Sequence, residues 1–412
     1  MPFEVPSSWV WTTVGEISQS ILYGVSESAK SQGTYRLLRI TDIQDNTVNW
    51  DTVPFTDYEN EKAEAYLLKD GDILFARTGA TVGKSYLVNS LKEKAIYASY
   101  LIRVQTNHYV LPAFVKYFFE SGFYWEQVLG NSVGIGQPNV NGTILSNLEL
   151  PIPPIMEQKR IVKELGEWLS IIDKIEESKG RIQKVISLAK SKILDLAIHG
   201  KLVPQNPTEE PARELLKRIN PKAEITCDNG HYQKLPKGWC LCDLSSLCKI
   251  KGGKRIPRGR TFSKERTPHI YIRVSNMKNN TIITTDLKYI DDDVYQTIKN
   301  YTISSSDLYL TIAGTIGHVG IVPKQFDGMN LTENAAKLTG IICDKKYLLY
   351  SLLSSTAQEH FRSRFHQVAQ PKLSIETASS TMIFLPSLKE QHRIVAKIEE
   401  IFAQLDAIEA SL

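Results

Sequence analysis

The segment GATVGKS, residues 79–85, contains the residue types of a loop that binds nucleotide phosphates. In a Walker A loop, four residues separate two glycines so that backbone N–H groups surround a phosphate, and a Lys and a Ser or Thr follow. Here only three residues separate Gly79 from Gly83, and Thr78 stands where the first glycine would be. The segment is one residue short, so a glycine turn between two strands competes with nucleotide binding.

Four of the five cysteines lie near a histidine and suggest a second chemistry, zinc binding. These residues are Cys227, Cys240, Cys242, Cys248 and His231. Structural zinc sites commonly use pairs of cysteines separated by about two to four residues, and the spacing here does not match. We therefore predict ordinary core or surface residues, no metal and no other cofactor.

The composition allows several domains and a nucleic-acid partner. The chain has 412 residues, of which 42% are apolar and 23% are charged, and its formal net charge is +4. Domains usually contain about 100 to 200 residues, so this length predicts two or three. No run of 18 apolar residues is present, and the amino-terminal MPFEVPSSW does not resemble a secretory signal. We expect a soluble cytoplasmic protein without a membrane segment.

The second half of the sequence repeats the first at a spacing of 230 to 235 residues. The matching pairs are VPSSW (5–9) with LPKGW (235–239), LLRITDI (37–43) with YIRVSNM (271–277), GDILFA (71–76) with SDLYLT (306–311), QPN (137–139) with QPK (370–372), and EQKRIV (157–162) with EQHRIV (390–395). The pieces recur in the same order, which predicts a duplicated unit.

The repeat weakens both chemical interpretations. Gly83 aligns with Gly317, which is followed by His318 and Val319 and not by the Lys and Ser of a phosphate loop. A glycine turn joining two strands fits both copies. Three of the cysteines are not shared either. The counterparts of Cys240, Cys242 and Cys248 in the first copy are Val10, Thr12 and Ser18.

Each repeat has a mixed α/β part followed by a long helix. Strand-like runs such as DILFA accompany amphipathic segments such as PAFVKYFFES (112–121) and KYLLYSLLSS (346–355). The prolines of LPIPPIMEQ (150–158) mark a boundary, because proline does not fit a helix interior. We predict a helix from Glu157 to His199, about 64 Å long at about 1.5 Å per residue.

Apolar residues recur along this helix at alternating steps of three and four residues, with Lys179 at one seam position. The apolar members are Ile161, Leu165, Trp168, Ile172, Ile175, Ile182, Ile186, Ala189, Ile193 and Leu196. So long a repeat favours a coiled coil over a helix lying on a globular core. The second copy has the same seam, but it stops at Leu412, which aligns with Lys179.

In an antiparallel pair with that register, residues 390–412 cover residues 180–199 of the first helix. The seam residues then left without a partner in the chain are Ile161, Leu165, Trp168, Ile172 and Ile175, and we term them the unpaired stripe. Exposed apolar patches of this size usually mark an interface. We predict that the unpaired stripe binds another chain, either a second copy of the protein or a different subunit.

Two mixed modules, each followed by P-x-x-x-EQ-x-RIV and a heptad helix, resemble the specificity subunit of type I restriction-modification systems. The segment GKLVPQNPTEEPARELLKRI (200–219) adds to the resemblance, which covers the whole chain. It implies an α+β fold, with target-recognition domains at 1–150 and 231–386 and conserved helical spacers at 151–230 and 387–412. Long antiparallel coiled-coil helices would join the two domains in a pseudo-two-fold repeat. The second spacer is shorter than the family pattern.

The resemblance also implies partners. Such a subunit is not catalytic; it reads a split sequence in double-stranded DNA and assembles with two DNA methyltransferase subunits and with restriction endonuclease/translocase subunits. Two alternatives from other classes are a nucleotide-binding enzyme that uses GATVGKS and a structural coiled-coil adaptor. The sequence has no (N/D)PP(Y/F) motif and no G-x-G-x-x-G loop, so we predict no catalytic residue.

Basic residues are the candidates for DNA contact. KIKGGKRIPRGR (249–260) interleaves cations with glycines, and we select Lys254, Arg255, Arg258 and Arg260, although a solvated loop is the alternative. Arg39 and Arg273 occupy matched strand positions, where they could read guanine or brace the sheet. The candidates beside the opening turn are Arg77, Thr78 and Lys84.

Overall fold

The computed structural model describes residues 2–131, 139–223, 225–226, 235–362 and 372–412. The chain forms two compact units, Met1–Glu176 and Glu177–Leu412, termed unit 1 and unit 2. Their mixture of helices and strands confirms the predicted fold class. Cys227, His231 and most of the repeated QPN and QPK segments lie outside the described residues.

Unit 1 contains short strands and helices around a four-stranded and a three-stranded sheet, with two further strand pairs. Its strands are β1 (Val10–Thr13), β2 (Ser18–Tyr23), β3 (Tyr35–Leu38), β4 (Ile43–Gln44), β5 (Thr47–Val48), β6 (Phe55–Thr56), β7 (Ile73–Ala76), β8 (Ser85–Leu87), β9 (Ala95–Tyr97), β10 (Leu101–Thr106) and β11 (Glu149–Ile152). Its helices are α1 (Asn60–Ala63), α2 (Pro112–Phe118), α3 (Gly122–Asn131), α4 (Gly142–Ser146) and the start of α5 (Ile155–Ile198).

Unit 2 holds the end of α5 and a second set of elements. Its strands are β12 (Ile225–Thr226), β13 (Cys240–Asp243), β14 (Lys249–Gly252), β15 (Ile270–Ile272), β16 (Met277–Lys278), β17 (Thr281–Ile282), β18 (Lys288–Tyr289), β19 (Thr302–Ile303), β20 (Leu308–Thr311), β21 (Val319–Ile321), β22 (Met329–Leu331), β23 (Ala335–Thr339) and β24 (Met382–Leu385). Its helices are α6 (Ala212–Ile219), α7 (Leu244–Leu247), α8 (Asp292–Ile298), α9 (Lys345–Leu353), α10 (Ser355–Arg362), α11 (Ile375–Ser379) and α12 (Leu388–Ala410).

The two units share one topology. An antiparallel sheet has the order β2-β10-β7-β8 in unit 1 and β14-β23-β20-β21 in unit 2. A second sheet contains β6-β3-β9 in unit 1 and β18-β15-β22-β19 in unit 2, and β3 with β9 and β15 with β22 run parallel. In each unit an early strand also pairs with the strand before the long helix, β1 with β11 and β13 with β24. This correspondence confirms the internal repeat.

The GATVGKS segment joins β7 to β8, which pair antiparallel. The equivalent segment of unit 2 joins β20 to β21 in the same way. A phosphate loop leads from a strand into a helix, whereas this segment leads into a second strand. The predicted strand-to-strand turn is confirmed, and the nucleotide-binding alternative is not supported.

Gly83 is the residue of this turn that cannot carry a side chain. Its φ of +86° lies in the left-handed region, and an added Cβ would lie 2.6 Å from the Trp125 ring. Gly79 has a similar φ of +78°, but nothing lies within 4 Å of its Cβ position.

We expect Gly83→Ala to lower the free energy of unfolding by about 2 kcal/mol or more, because left-handed strain and a clash act together. Gly79→Ala is the matched control: it carries the strain alone, and we expect about 1 kcal/mol. Urea denaturation of both variants measures the difference. Equal losses would mean that the Trp125 ring moves aside without cost.

A buried glutamine docks each long helix onto its unit. Gln158 accepts a hydrogen bond from the Leu111 N–H at 2.9 Å and donates to the Pro153 carbonyl at 2.9 Å. Gln391 accepts from the Asp344 N–H at 2.8 Å and donates to the Pro386 carbonyl at 3.0 Å. Both side chains are almost fully buried. This contact explains physically why EQ recurs at the start of both helices.

We expect Gln391→Ala to destabilise unit 2 by about 2 to 3 kcal/mol, because the Asp344 N–H and the Pro386 carbonyl lose their partners in a buried place. The neighbouring His392 is mainly exposed, and His392→Ala should change stability by less than about 0.5 kcal/mol. Thermal unfolding of the two variants compares them. A Gln391→Ala protein as stable as His392→Ala would show that the amide does not hold the helix.

Helix α5 begins at Ile155 and ends at Ile198, within two residues of the predicted bounds. Gly200 ends it with a φ of +65°. The Lys201 N–H donates to the Leu196 carbonyl and the Gly200 N–H to the Ala197 carbonyl, which is the hydrogen-bond pattern of a Schellman cap.

Within unit 2, the end of α5 pairs antiparallel with α12. Lys179 Nζ donates to the Leu412 carbonyl at 2.9 Å, and Lys190 forms an ion pair with Asp406 at 2.5 Å. The predicted antiparallel register is confirmed. The predicted cover is incomplete, because Ile182 of α5 is 39% exposed and Ile408 of α12 is 49% exposed.

The buried face of the last two turns of α5 differs from the prediction. Leu194, Ala197 and Ile198 are buried, whereas Ile193 and Leu196 of the predicted seam are only partly buried. These turns pack into the core of unit 2 beside β13 and β24, so their apolar face turns towards a sheet as well as towards a helix.

Candidate nucleic-acid interface

The basic segment of unit 2, KRIPRGR (254–260), follows β14 and starts where its backbone passes close to that of β22 and β23. The Gly253 N–H donates to the Ala335 carbonyl and the Lys254 N–H to the Leu331 carbonyl, both at 2.9 Å. A Cβ on Gly253 would lie 2.1 Å from the Thr332 carbonyl oxygen. Only glycine fits there, and it sets the start of the basic segment against the connection between β22 and β23.

From this crossing, the segment forms one wall of a groove of about 660 Å³. Tyr271, residues 273–275 and residues 332–334 also line it. Four of the arginines selected from the sequence lie in this lining, namely Arg255, Arg258, Arg260 and Arg273. We term this feature the basic groove. Phosphate groups bind where cations cluster, so its arrangement is suited to a polyanion.

The cations of the basic groove are not equivalent. Arg255 Nε donates to Glu333 at 2.6 Å, and Arg260 forms an ion pair with Asp293. Lys254 lies just before the groove lining, and its Nζ is 5.6 Å from the centre of the Tyr301 ring. Arg258 is exposed and forms no ion pair or hydrogen bond through its side chain with the residues that the structure describes. Lys254 and Arg258 are therefore the cations most available to a ligand.

Arg39 and Arg273 hold their own loops. Arg39 Nε and Nη2 donate to the Asp42 carboxylate at 3.0 and 2.8 Å. Arg273 Nη2 donates to the Asp286 side chain at 2.7 Å and to its carbonyl at 2.6 Å. Lys288 and Arg273 lower the pKa of Asp286, which stays ionised. This geometry favours the bracing role over direct base reading.

The candidates beside the opening turn have different surroundings. The Arg77 guanidinium lies 4.9 Å from the centre of the Tyr23 ring, and Thr78 forms an isolated antiparallel bridge with Asn139. Lys84 is exposed and lines a cavity of about 620 Å³ together with Trp125. Of these residues, Lys84 is the one that presents its charge to a cavity.

Glu333, the carboxylate of the basic groove, is a site residue that sequence reasoning missed. It follows β22, and its counterpart after β9 is Ser99, so the repeat carries no signal for it. Tyr271 and Thr332, which contact it, were also missed. Groups that meet only through tertiary packing leave no spacing pattern along the chain.

Three cysteines of unit 2 are core residues. Cys240, Cys242 and Cys248 are buried, and burial raises the pKa of Cys248 to about 12. Among the residues that the structure describes, no group of three His, Cys, Asp or Glu side chains could hold a metal ion; Cys227 and His231 lie outside them.

No helix in the described part of the chain is both long and apolar enough to cross a membrane.

Comparison with known proteins matches both halves of the chain to one family. A family model described as "Type I restriction modification DNA specificity domain" matches residues 6–185 and again residues 236–412. The chain is 22% identical to the type I restriction enzyme EcoBI specificity subunit of Escherichia coli, over 98% of this chain and 81% of that subunit. It is 24% identical to the EcoAI specificity subunit of Escherichia coli, over 97% of this chain and 78% of that subunit.

One solved structure has the same fold. It comes from work on complex assembly and conformational transition of the type I R-M system, and it matches 100% of this chain and 94% of its own with a TM-score of 0.66 at 19% identity.

Proposed function

Because this chain belongs to the family of type I restriction modification DNA specificity domains, we propose that it is the DNA-reading subunit of a type I restriction-modification complex. In this role it is not an enzyme. It selects the DNA sequence on which methyltransferase and endonuclease subunits act.

The basic groove is the observation that carries this proposal. It gathers Arg255, Arg258 and Arg260 with Arg273 beside a sheet. A purely structural adaptor has no use for such a cluster, and a nucleotide-binding enzyme would need the phosphate loop that GATVGKS does not form.

We assign recognition of the DNA sequence to two domains, residues 1–150 and 231–386, with helical spacers at residues 151–230 and 387–412. The units share a topology but not their loop chemistry. Where unit 2 has KRIPRGR, the equivalent loop of unit 1 begins VSESAKS and contains no arginine. Different loops on one scaffold suit a target whose two halves differ in sequence.

The unpaired stripe supports the assembly with other subunits. Trp168 and Ile175 are each 61% exposed, Ile172 is 48% exposed and Leu165 is 39% exposed. Leu169 and Ile171 beside them are also exposed. We assign this surface to a methyltransferase subunit in a cytoplasmic complex that contains two such subunits and the restriction endonuclease/translocase subunits. A second copy of the chain is the alternative occupant in the isolated protein.

Binding of the full chain, with its methyltransferase partners, to a pool of randomised DNA duplexes tests the proposal. We expect enrichment of one sequence with two fixed segments. A chain that binds ATP or GTP but enriches no DNA would support the enzyme alternative, and one that binds neither would support the adaptor.

A further inference from the structure

Arg255 differs from the other arginines of the basic groove in how its guanidinium is held. Its Nε donates to Glu333 Oε1 at 2.6 Å, yet 76% of the side chain is exposed. Its Nη1 and Nη2 form no hydrogen bond with the residues that the structure describes. The guanidinium is therefore fixed at one edge and open at the other.

Glu333 is itself held in place. Its Oε2 lies 3.0 Å from the Thr332 hydroxyl and 3.1 Å from the Tyr271 hydroxyl, and its side chain is 23% exposed. Burial acts to raise the pKa of Glu333, but the hydrogen bonds from Arg255, Thr332 and Tyr271 outweigh it and lower the pKa. The carboxylate stays ionised and gives Arg255 a rigid support.

The neighbouring arginines lack this combination. One terminal nitrogen of each, Nη2, is engaged by Asp293 in Arg260 and by Asp286 in Arg273, so neither has both terminal nitrogens free. Arg258 has no partner among the described residues, so nothing fixes the orientation of its guanidinium. A cation without a bound partner can neutralise a phosphate, but reading a base requires a donor pair in a set direction.

We propose that Arg255 reads a guanine through its two terminal nitrogens and that Glu333 is its positioning residue. The proposal rests on the DNA-reading function and deepens it. Guanine presents O6 and N7 in the major groove, and an arginine with two free nitrogens in one plane matches that pair. Lys254 and Arg258 then contact phosphates, which carry no sequence information.

The test uses the duplex whose sequence the full chain selects. Each guanine of the two half-sites is replaced in turn by 7-deazaguanine, which lacks the N7 acceptor, and affinities are measured for four proteins: wild type, Arg255→Ala, Arg258→Ala and Glu333→Gln. We expect one guanine at which 7-deazaguanine weakens wild-type binding by about 5-fold or more. Arg255→Ala should weaken binding to the selected duplex by about 5- to 150-fold and abolish the sensitivity to that one replacement.

The other variants separate positioning from contact. Glu333→Gln, which preserves the shape of the side chain, should reduce the sensitivity to 7-deazaguanine more than it reduces affinity for random DNA. Arg258→Ala should weaken binding to all duplexes alike and keep the sensitivity.

One contrary outcome is that Arg255→Ala also weakens binding to all duplexes alike, and another is that it keeps every 7-deazaguanine effect. Either result would make Arg255 a phosphate contact. The inference would then be wrong, whereas the DNA-reading function would stand. A wild-type chain that selects no duplex would overturn the function itself, and this inference with it.

Discussion

Replacing Lys254, Arg255, Arg258 and Arg260 together by Ala is expected to weaken duplex DNA binding by about 100-fold at about 0.1 M salt. Binding to DNA releases counterions, so the slope of log affinity against log salt should flatten by about 0.9 for each phosphate that the variant no longer neutralises. The change also leaves Glu333 and Asp293 in the groove without the arginines that neutralise them. Two uncompensated carboxylates then repel the DNA backbone.

Fluorescence anisotropy over a series of salt concentrations measures both effects. A control removes four exposed lysines of unit 2 that lie outside residues 249–260 and do not line the basic groove: Lys217, Lys278, Lys299 and Lys324. It lowers the net charge by the same amount and should change affinity by less than about 5-fold. If the two quadruple variants behave alike, the basic segment serves solubility only.

The second large effect concerns assembly. Leu165→Lys combined with Ile172→Lys should weaken methyltransferase association by at least about 100-fold, because fully burying each of these side chains contributes roughly 1.5 to 3 kcal/mol. Both residues are already exposed in the chain, so we expect the double change to leave its stability nearly unaltered.

A matched control is Ser170→Lys combined with Glu167→Gln, which adds the same charge outside the unpaired stripe. Pull-down of the methyltransferase and sizing of the isolated chain compare the two variants. If both assemblies survive the Leu165 and Ile172 changes, the partner binds elsewhere.

The fold was predictable where the pattern was repeated or long. The duplicated segments indicated two similar units, and the seam that ends at Leu412 indicated the antiparallel register that Lys179 confirms. The end of α5 was harder, since the burial of Leu194 and Ile198 depends on a sheet that the helix meets only in the folded unit. Helical periodicity predicts an apolar face towards one neighbouring element, whereas the last turns of α5 contact both a helix and a sheet.

The site was predictable only as a set of charges. The spacing of the basic segment indicated which cations cluster, and Arg255, Arg258, Arg260 and Arg273 do share one groove. The sequence could not show which of them are engaged, because their partners Glu333, Asp293 and Asp286 approach through the fold. Those partners decide which terminal nitrogens stay free for DNA and which are already bound within the protein.

Sequencing of methylated bases in cells that carry this chain and its methyltransferase tests the central claim most directly. Two reading domains predict a motif with two specified segments separated by a gap of fixed length in which any base is accepted. Replacing the loop at 254–260 with the equivalent loop of unit 1 should alter one segment and leave the other unchanged. A continuous motif, or one in which both segments change together, would contradict the account.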